Sequence, residues 1–203
     1  MTQDTFRRFL AAHESVIGQI KDSAHRLHDS VNQHYDGVHP YSLHLDMVAD
    51  SVYRYGYIVC VGDEDVLPLL YGAYFHDSIE DARVTYNDVM KIARKYMGRE
   101  QALMATEIVY ALTNDKGRTR AERAGEKYYQ GIRETPYAPF VKLADRLANI
   151  MYSCTHDNNA NRHMREVYRQ ELPHFLANIN VESDDPRMKL PQVMIDLIHR
   201  QIG

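Results

Sequence analysis

The sequence predicts an all-α fold, and three observations lead there. Apolar residues recur at helical spacing through most of the chain. Runs of alternating polar and apolar residues flanked by glycine-containing turns are nearly absent. Helix start and stop signals recur between the periodic segments. From Thr5 to about Gln33 the apolar positions Phe6, Phe9, Leu10, Val16, Ile17, Ile20, Ala24, Leu27 and Val31 trace helical faces, with a break expected near Gly18. The segment HYDGVHPY reads as a loop. A helix follows from about Ser42 to Tyr57, and GDEDVLP then places acids at the start of another, with Pro68 near its first turn. Thr85 to Asp88 has the spacing of a capping box for VMKIARKYM, which stops at Gly98, and EQALMATEIVYAL forms the next helix. TNDKGRTR is a loop and AERAGEKYYQGI a further helix. APFVKLADRLANIMYS reads as a long buried helix, NRHMREVYRQELPHFLANI as an amphipathic one, and QVMIDLIHRQI as a short closing helix.

A chain of 203 residues lies at the upper end of single-domain length and can bury a sizeable core, so residues 1–203 are read as one domain. The 24 basic and 28 acidic residues give a formal charge of −4, without the basic excess that marks a dedicated nucleic-acid binder. A polyanionic ligand would need a local basic patch. Cys60 and Cys154 are too few for a disulfide scaffold and read as buried thiols. The N-terminal stretch has no signal-peptide core and no run approaches the ~18 apolar residues of a membrane span, so a cytoplasmic, soluble protein is expected. A homo-oligomer stays open.

The stretch YGAYFHDSIEDA carries the chemistry. His76 and Glu80 are four residues apart, as are Asp77 and Asp81, so on a continued helix they would form two adjacent stripes converging on one patch. Three carboxylates near a helix C-terminus oppose the helix dipole and repel one another, which calls for a cation. A solvated acidic face with a chance histidine is the plain alternative. His44, just inside the preceding helix, and Asp145, on the otherwise apolar face of Val141, Leu143, Ala144, Leu147 and Ile150, favour the cation. An unpaired carboxylate on such a face is expensive to bury. Lys142 or Arg146 could pair with it, but neighbours on a helix point about a hundred degrees apart, and neither is expected to face Asp145.

These residues resemble the HD-domain metal-dependent phosphohydrolases, whose pattern is a His, an adjacent His-Asp and a distant Asp around one divalent metal. His44, His76, Asp77 and Asp145 match it in order. Within that superfamily the chain resembles the alarmone hydrolases, the hydrolase domain of RelA/SpoT-type enzymes and the small stand-alone enzymes that cleave the 3'-pyrophosphate of (p)ppGpp. The motifs HDSIED, LTNDKG and VKLADRLAN carry that likeness, which is strongest over residues 24–178 and leaves 190–203 as an appendage. It implies an HD-type helical bundle with the metal between central helices and a nucleotide as substrate.

Two imidazoles and two carboxylates form a mixed nitrogen and oxygen site suited to Mn²⁺ or a similar first-row ion. Such an ion lowers the pKa of a bound water and polarises a phosphoryl oxygen. Glu80 and Asp81 then fit carboxylates that orient or deprotonate the attacking water, as the resemblance also implies, with hydrogen bonding to the histidines as the alternative. Lys142 and Arg120 are candidates for substrate phosphate, the latter where the family has a phosphate-binding Lys or Arg; for each, a solvated surface charge is the alternative. The resemblance implies a sugar contact for Asn149. Tyr41 matches the family's aromatic before the first His, and packing beneath the metal explains it equally.

The likeness has gaps. Where the family has an Arg-Lys pair that holds the guanine base, this chain has Gln33 and His34, and neither reproduces the cationic fork of arginine. Arg26 is the candidate substitute from the preceding helix. The family's Thr three residues after the Asn is Tyr152 here. These changes spare the metal centre, so an HD nucleotidase acting on another nucleotide is the alternative. An inert nucleotide-sensing domain is the third reading, disfavoured by the presence of both Glu80 and Asp81.

Overall fold

The structure, a computed structural model, describes residues 1–114 and 118–203, without the side chains of Arg120 and Ala121. It is all-α, with one two-residue hairpin as the sheet among the described residues. In chain order the elements are α1 (Gln3–Ala12), α2 (Glu14–Ser30), β1 (His34–Tyr35), β2 (His39–Pro40), α3 (Ser42–Val59), α4 (Val66–Phe75), α5 (Tyr86–Ala93), α6 (Arg99–Leu112), α7 (Arg120–Arg123), α8 (Glu126–Glu134), α9 (Ala138–Thr155), α10 (Asn159–Ile179) and α11 (Gln192–Ile202). Among the described residues, no helix is long and apolar enough to cross a membrane.

The core is built around α4. VLPLLYGAYF is apolar all round, and every one of its residues is buried, as a helix surrounded by others must be. It packs against α2, α3, α6 and α9. Gly72 permits the closest of these approaches: a Cβ there would lie 2.6 Å from Ile108 Cγ2 of α6. Tyr71 and Phe75 stack at 4.1 Å along the same helix, and the Tyr71 hydroxyl donates to the Val89 carbonyl of α5 at 3.0 Å.

Local chemistry accounts for most boundaries. The Thr85 hydroxyl accepts from the Asp88 N–H while the Asp88 carboxylate accepts from the Thr85 N–H at 2.9 Å, the expected capping box. Asp65 accepts from the N–H groups of Val61 and Gly62, both at 2.9 Å, and holds the short 3-10 turn that launches α4. Asn158 caps α10. Tyr137, at φ 70°, begins α9; its N–H donates to the Arg187 carbonyl at 2.7 Å and its ring is fully buried, so packing maintains that left-handed conformation.

Three expectations change. The first helical stretch breaks at His13, not at Gly18: the His13 ring stacks on Phe9 at 3.9 Å and its Nδ1 bonds the Phe9 carbonyl at 2.9 Å, so α1 ends in a local side-chain cap. Gly18 sits inside α2 with open space around it. AERAGEKYYQGI is two helices, because Gly125 is extended (ψ −179°) and serves as N-cap of α8. Finally, α4 ends at Phe75, so residues 76–82 form turns and not a continued helix. His76 Nδ1 bonds the Ala73 carbonyl at 2.9 Å, the acceptor the Asp77 N–H would use in an α-helix. The bonds from Asp81 N–H to the Asp77 carbonyl (2.8 Å) and from Ala82 N–H to the Ser78 carbonyl (3.1 Å) still keep Asp77 and Asp81 one turn apart.

Candidate metal centre

Three helices converge on one point. α3 brings His44 one residue inside its first turn, the end of α4 brings His76 and Asp77, and the middle of α9 brings Asp145. His44 Nε2 lies 3.2 Å from His76 Nε2 and 3.4 Å from Asp145 Oδ1. Asp77 Oδ2 is 2.9 Å from His76 Nε2 and 3.6 Å from His44 Nε2. Both histidines are buried. One donor atom from each of His44, His76 and Asp145 lies within 4.8 Å of the others, so these three residues can hold a metal ion, and Asp77 Oδ2 adjoins them.

The donor set fits that role. His76 Nδ1 is occupied by the Ala73 carbonyl, which fixes the ring and turns Nε2 toward the cluster, the arrangement usual for a metal-ligating imidazole. Two nitrogens each about 2 Å from one first-row ion can sit as far apart as these. Tyr41 donates its hydroxyl to Asp77 Oδ2 at 2.5 Å. Asp145 accepts from Lys142 Nζ at 2.9 Å through Oδ2 and from Asn149 Nδ2 at 2.6 Å through Oδ1. Every carboxylate at the point of convergence is therefore oriented by a second group.

The electrostatics favour positive charge. Burial would push the Asp145 carboxyl up, but Lys142 and the two imidazoles outweigh it and hold the group well below the usual carboxylate range. Burial opposes ionisation of Asp77 as well, and His76 and His44 overcome it in the same direction. Burial lowers His44, yet its bonds to Asp145 and Asp77 carry it up to about 9. His76 is also raised, with burial opposed chiefly by Asp77. Two anionic carboxylates facing two imidazoles are balanced either by imidazole protons or by a divalent cation that displaces them.

This cluster floors a cavity of about 620 Å³. Glu80 and Asp81 lie on its wall, beyond the ligands. The Glu80 oxygens accept from Asn114 Nδ2 at 3.0 and 2.9 Å. Asp81 is pushed up to about 6 by burial and by the neighbouring Asp77. Across the cavity stand Tyr128, Tyr129, Tyr168 and Arg146.

Sequence expectation and structure part company at several residues. Lys142 faces Asp145 after all, because it stands three positions before it and an i,i+3 pair shares a helix face. Arg146 points elsewhere, to Glu171 at 2.8 Å and over the rings of Tyr168 (4.8 Å) and Phe175 (4.4 Å). Tyr41 is buried beneath the cluster. Both amide atoms of Asn149 are engaged within the protein, Nδ2 by Asp145 and Oδ1 by the Tyr35 hydroxyl at 2.7 Å. Arg26 is exposed on α2 and does not line the cavity. His34 is exposed, and its Nδ1 bonds the Asn32 carbonyl. Tyr152 is buried and donates to Asp36 at 3.0 Å. The Arg120 side chain and Asp115 of the LTNDKG motif lie outside the described residues.

Sequence reasoning missed Tyr35, Asn114, Arg146 and His28. Asp36-Gly37, both at positive φ, is a hairpin signal that would have drawn attention to Tyr35 beside it. Nothing in the sequence marked His28. It is fully buried, stacks on Tyr41 at 4.8 Å, and neither ring nitrogen has a hydrogen-bond partner among the described residues. Burial lowers its pKa to about 4, so the folded protein takes up its proton later than the unfolded chain, whose imidazole titrates near 6.5. The stability this confers is complete above pH 6.5 and is lost as pH falls from 6.5 to about 4, up to about 3 kcal/mol in all. Urea unfolding of wild type and His28→Leu across that interval should show a steeper fall for wild type. Parallel curves would exclude His28 as the cause.

Compared with known proteins, the chain matches no protein-family model and no curated protein.

Proposed function

We propose that this protein is a metal-dependent phosphohydrolase acting on a nucleotide, of the HD type, with Mn²⁺ as the ion. The convergence of His44, His76, Asp77 and Asp145, three of which (His44, Asp77 and Asp145) line a cavity that also carries Glu80 and Asp81, supports this reading above all. Two imidazoles beside two carboxylates suit a first-row ion better than a site of oxygen donors alone. When bound, such an ion acidifies a water and polarises a phosphoryl oxygen.

The chain's own groups supply the rest. His76, oriented by Ala73, and His44 present lone pairs to the cluster, while Tyr41 and Asn149 hold the two carboxylates in register. Asp81, a carboxylate pushed up by burial and by the neighbouring Asp77, takes a proton from the attacking water. Glu80, steadied by Asn114, orients that water. Water adds to phosphorus and gives a proton to Asp81, the bond from phosphorus to the ribose oxygen breaks, and that oxygen takes the proton back as a hydroxyl, with pyrophosphate as the other product if the substrate is (p)ppGpp. Tyr128, Tyr129 and Tyr168 also line the cavity and supply aromatic surface against which a base can pack.

Alarmone 3'-pyrophosphate hydrolysis is the first activity to test, and a different nucleotide is the second reading. Gln33 and His34, which stand where the alarmone hydrolases have their base-holding Arg-Lys pair, and Tyr152, engaged with Asp36, favour that second reading, and the candidate substitute Arg26 is exposed and does not line the cavity. With Mn²⁺ present, ppGpp, pppGpp, NADPH and a panel of common nucleotides should include at least one compound hydrolysed by the purified protein. Release of pyrophosphate selects the first reading and release of phosphate from another nucleotide the second. No turnover of any compound would overturn both, in favour of an inert nucleotide-sensing domain.

A further inference from the structure

The β1–β2 hairpin carries a residue that reaches two of the four candidate ligands. The Tyr35 ring stacks on the His44 imidazole, with centroids 4.9 Å apart and planes 17° from parallel. Its hydroxyl donates to Asn149 Oδ1 at 2.7 Å, and Asn149 Nδ2 donates in turn to Asp145 Oδ1 at 2.6 Å. Asp145 Oδ1 is the oxygen that faces His44 Nε2. One tyrosine thus braces an imidazole through its ring and a carboxylate through a single amide.

The hairpin is anchored firmly enough for this. Tyr35 meets Tyr152 of α9 edge-on at 4.7 Å, and Asp36 accepts from the Tyr152 hydroxyl at 3.0 Å and from Asn161 Nδ2 of α10 at 3.4 Å. The phenol stays protonated, since burial raises its pKa, so it remains a donor to Asn149. With Oδ1 taken by Tyr35 and Nδ2 by Asp145, the Asn149 amide is a relay between hairpin and ligand.

We propose that Tyr35 is a positioning residue of the metal centre, acting on His44 by stacking and on Asp145 through Asn149. This rests on the reading of His44, His76, Asp77 and Asp145 as a metal site. Groups that orient ligands typically change metal affinity 10- to 100-fold when removed, about as much as one ligand set slightly out of register would cost.

Full-length wild type, Tyr35→Phe, Asn149→Ala and the double variant are titrated with Mn²⁺ alone by calorimetry. Tyr35→Phe keeps the stacked ring and loses only the hydroxyl. Each single variant should weaken Mn²⁺ binding about tenfold, and the double variant should bind no more weakly than Asn149→Ala, because the hydroxyl acts through that amide. The visible absorption of the Co²⁺-loaded protein should shift in Tyr35→Phe, while the melting temperature without metal stays at the wild-type value. Mn²⁺ affinity of Tyr35→Phe within twofold of wild type, effects that multiply in the double variant, or a loss of affinity that only follows a lowered melting temperature would each overturn the proposal. Wild type that binds no Mn²⁺ overturns the metal centre itself and this inference with it, whereas tight wild-type binding unaffected in Tyr35→Phe overturns the positioning role alone.

Discussion

Asp145→Ala and His76→Ala should each abolish tight binding of a divalent ion, and elemental analysis after dialysis against Mn²⁺ is expected to find the wild type loaded and both variants empty. Asp145→Ala carries a second effect. Its carboxylate neutralises Lys142, whose side chain is 18 % exposed, and accepts from Asn149. Removing it leaves a largely buried ammonium without its partner, a change that typically costs about 3–5 kcal/mol when the pair is fully buried and less at this partial exposure. His76→Ala removes a buried ring and its bond to Ala73 and takes from Asp77 the nearer of its two imidazoles, while His44 stays 3.6 Å away. Both variants should lose the metal, and Asp145→Ala should also melt at a clearly lower temperature without metal. Unchanged metal content in both would refute the ligand set. Unchanged stability of Asp145→Ala would show that Lys142 finds other compensation.

Glu80→Gln should bind Mn²⁺ as wild type does and lose turnover by about 10²- to 10⁴-fold, the usual contribution of a positioned acid or base. Gln retains the length of Glu and one acceptor oxygen for Asn114, so the wall of the cavity survives the change. Asp81→Asn should behave alike, since it removes a carboxylate pushed up by burial and by the neighbouring Asp77. The measurement is metal affinity beside kcat on whichever nucleotide the screen identifies. An active Glu80→Gln would remove Glu80 from the mechanism, and loss of metal in that variant would make it a structural support of the ligands.

The fold class was legible because it rests on local signals. Helical spacing of apolar residues and the Thr85–Asp88 capping box act within one or two turns of chain, and the helices follow them. The split at Gly125 comes from an extended glycine, and the other two boundaries that went astray are those where a side chain competed with the backbone. His13 bonds the Phe9 carbonyl, and His76 takes the Ala73 carbonyl and ends α4. Composition does not reveal such a competition, since the same histidine in another rotamer would leave the helix intact.

The site divides in a similar way. Asp145 stood out in the chain because an ionisable group on an apolar face has a large energetic cost that demands a reason, and His44, His76 and Asp77 joined it through the resemblance to the HD-type pattern. How they meet is a property of three helices packed at one point, and spacing along the chain carries no information about it. The pairing of Lys142 with Asp145 was readable from i,i+3 spacing alone. The contacts of Tyr35 with His44 and Asn149, of Asn114 with Glu80, and of Arg146 with Tyr168 and Phe175 join residues from separate elements. By itself, then, the amino-acid sequence determined that this protein is helical and singled out a handful of acids and histidines of the residue types that can hold a metal ion. Only the tertiary structure decided which groups orient those ligands and what lines the cavity above them, because side-chain contacts between distant segments exist only once the helices have docked.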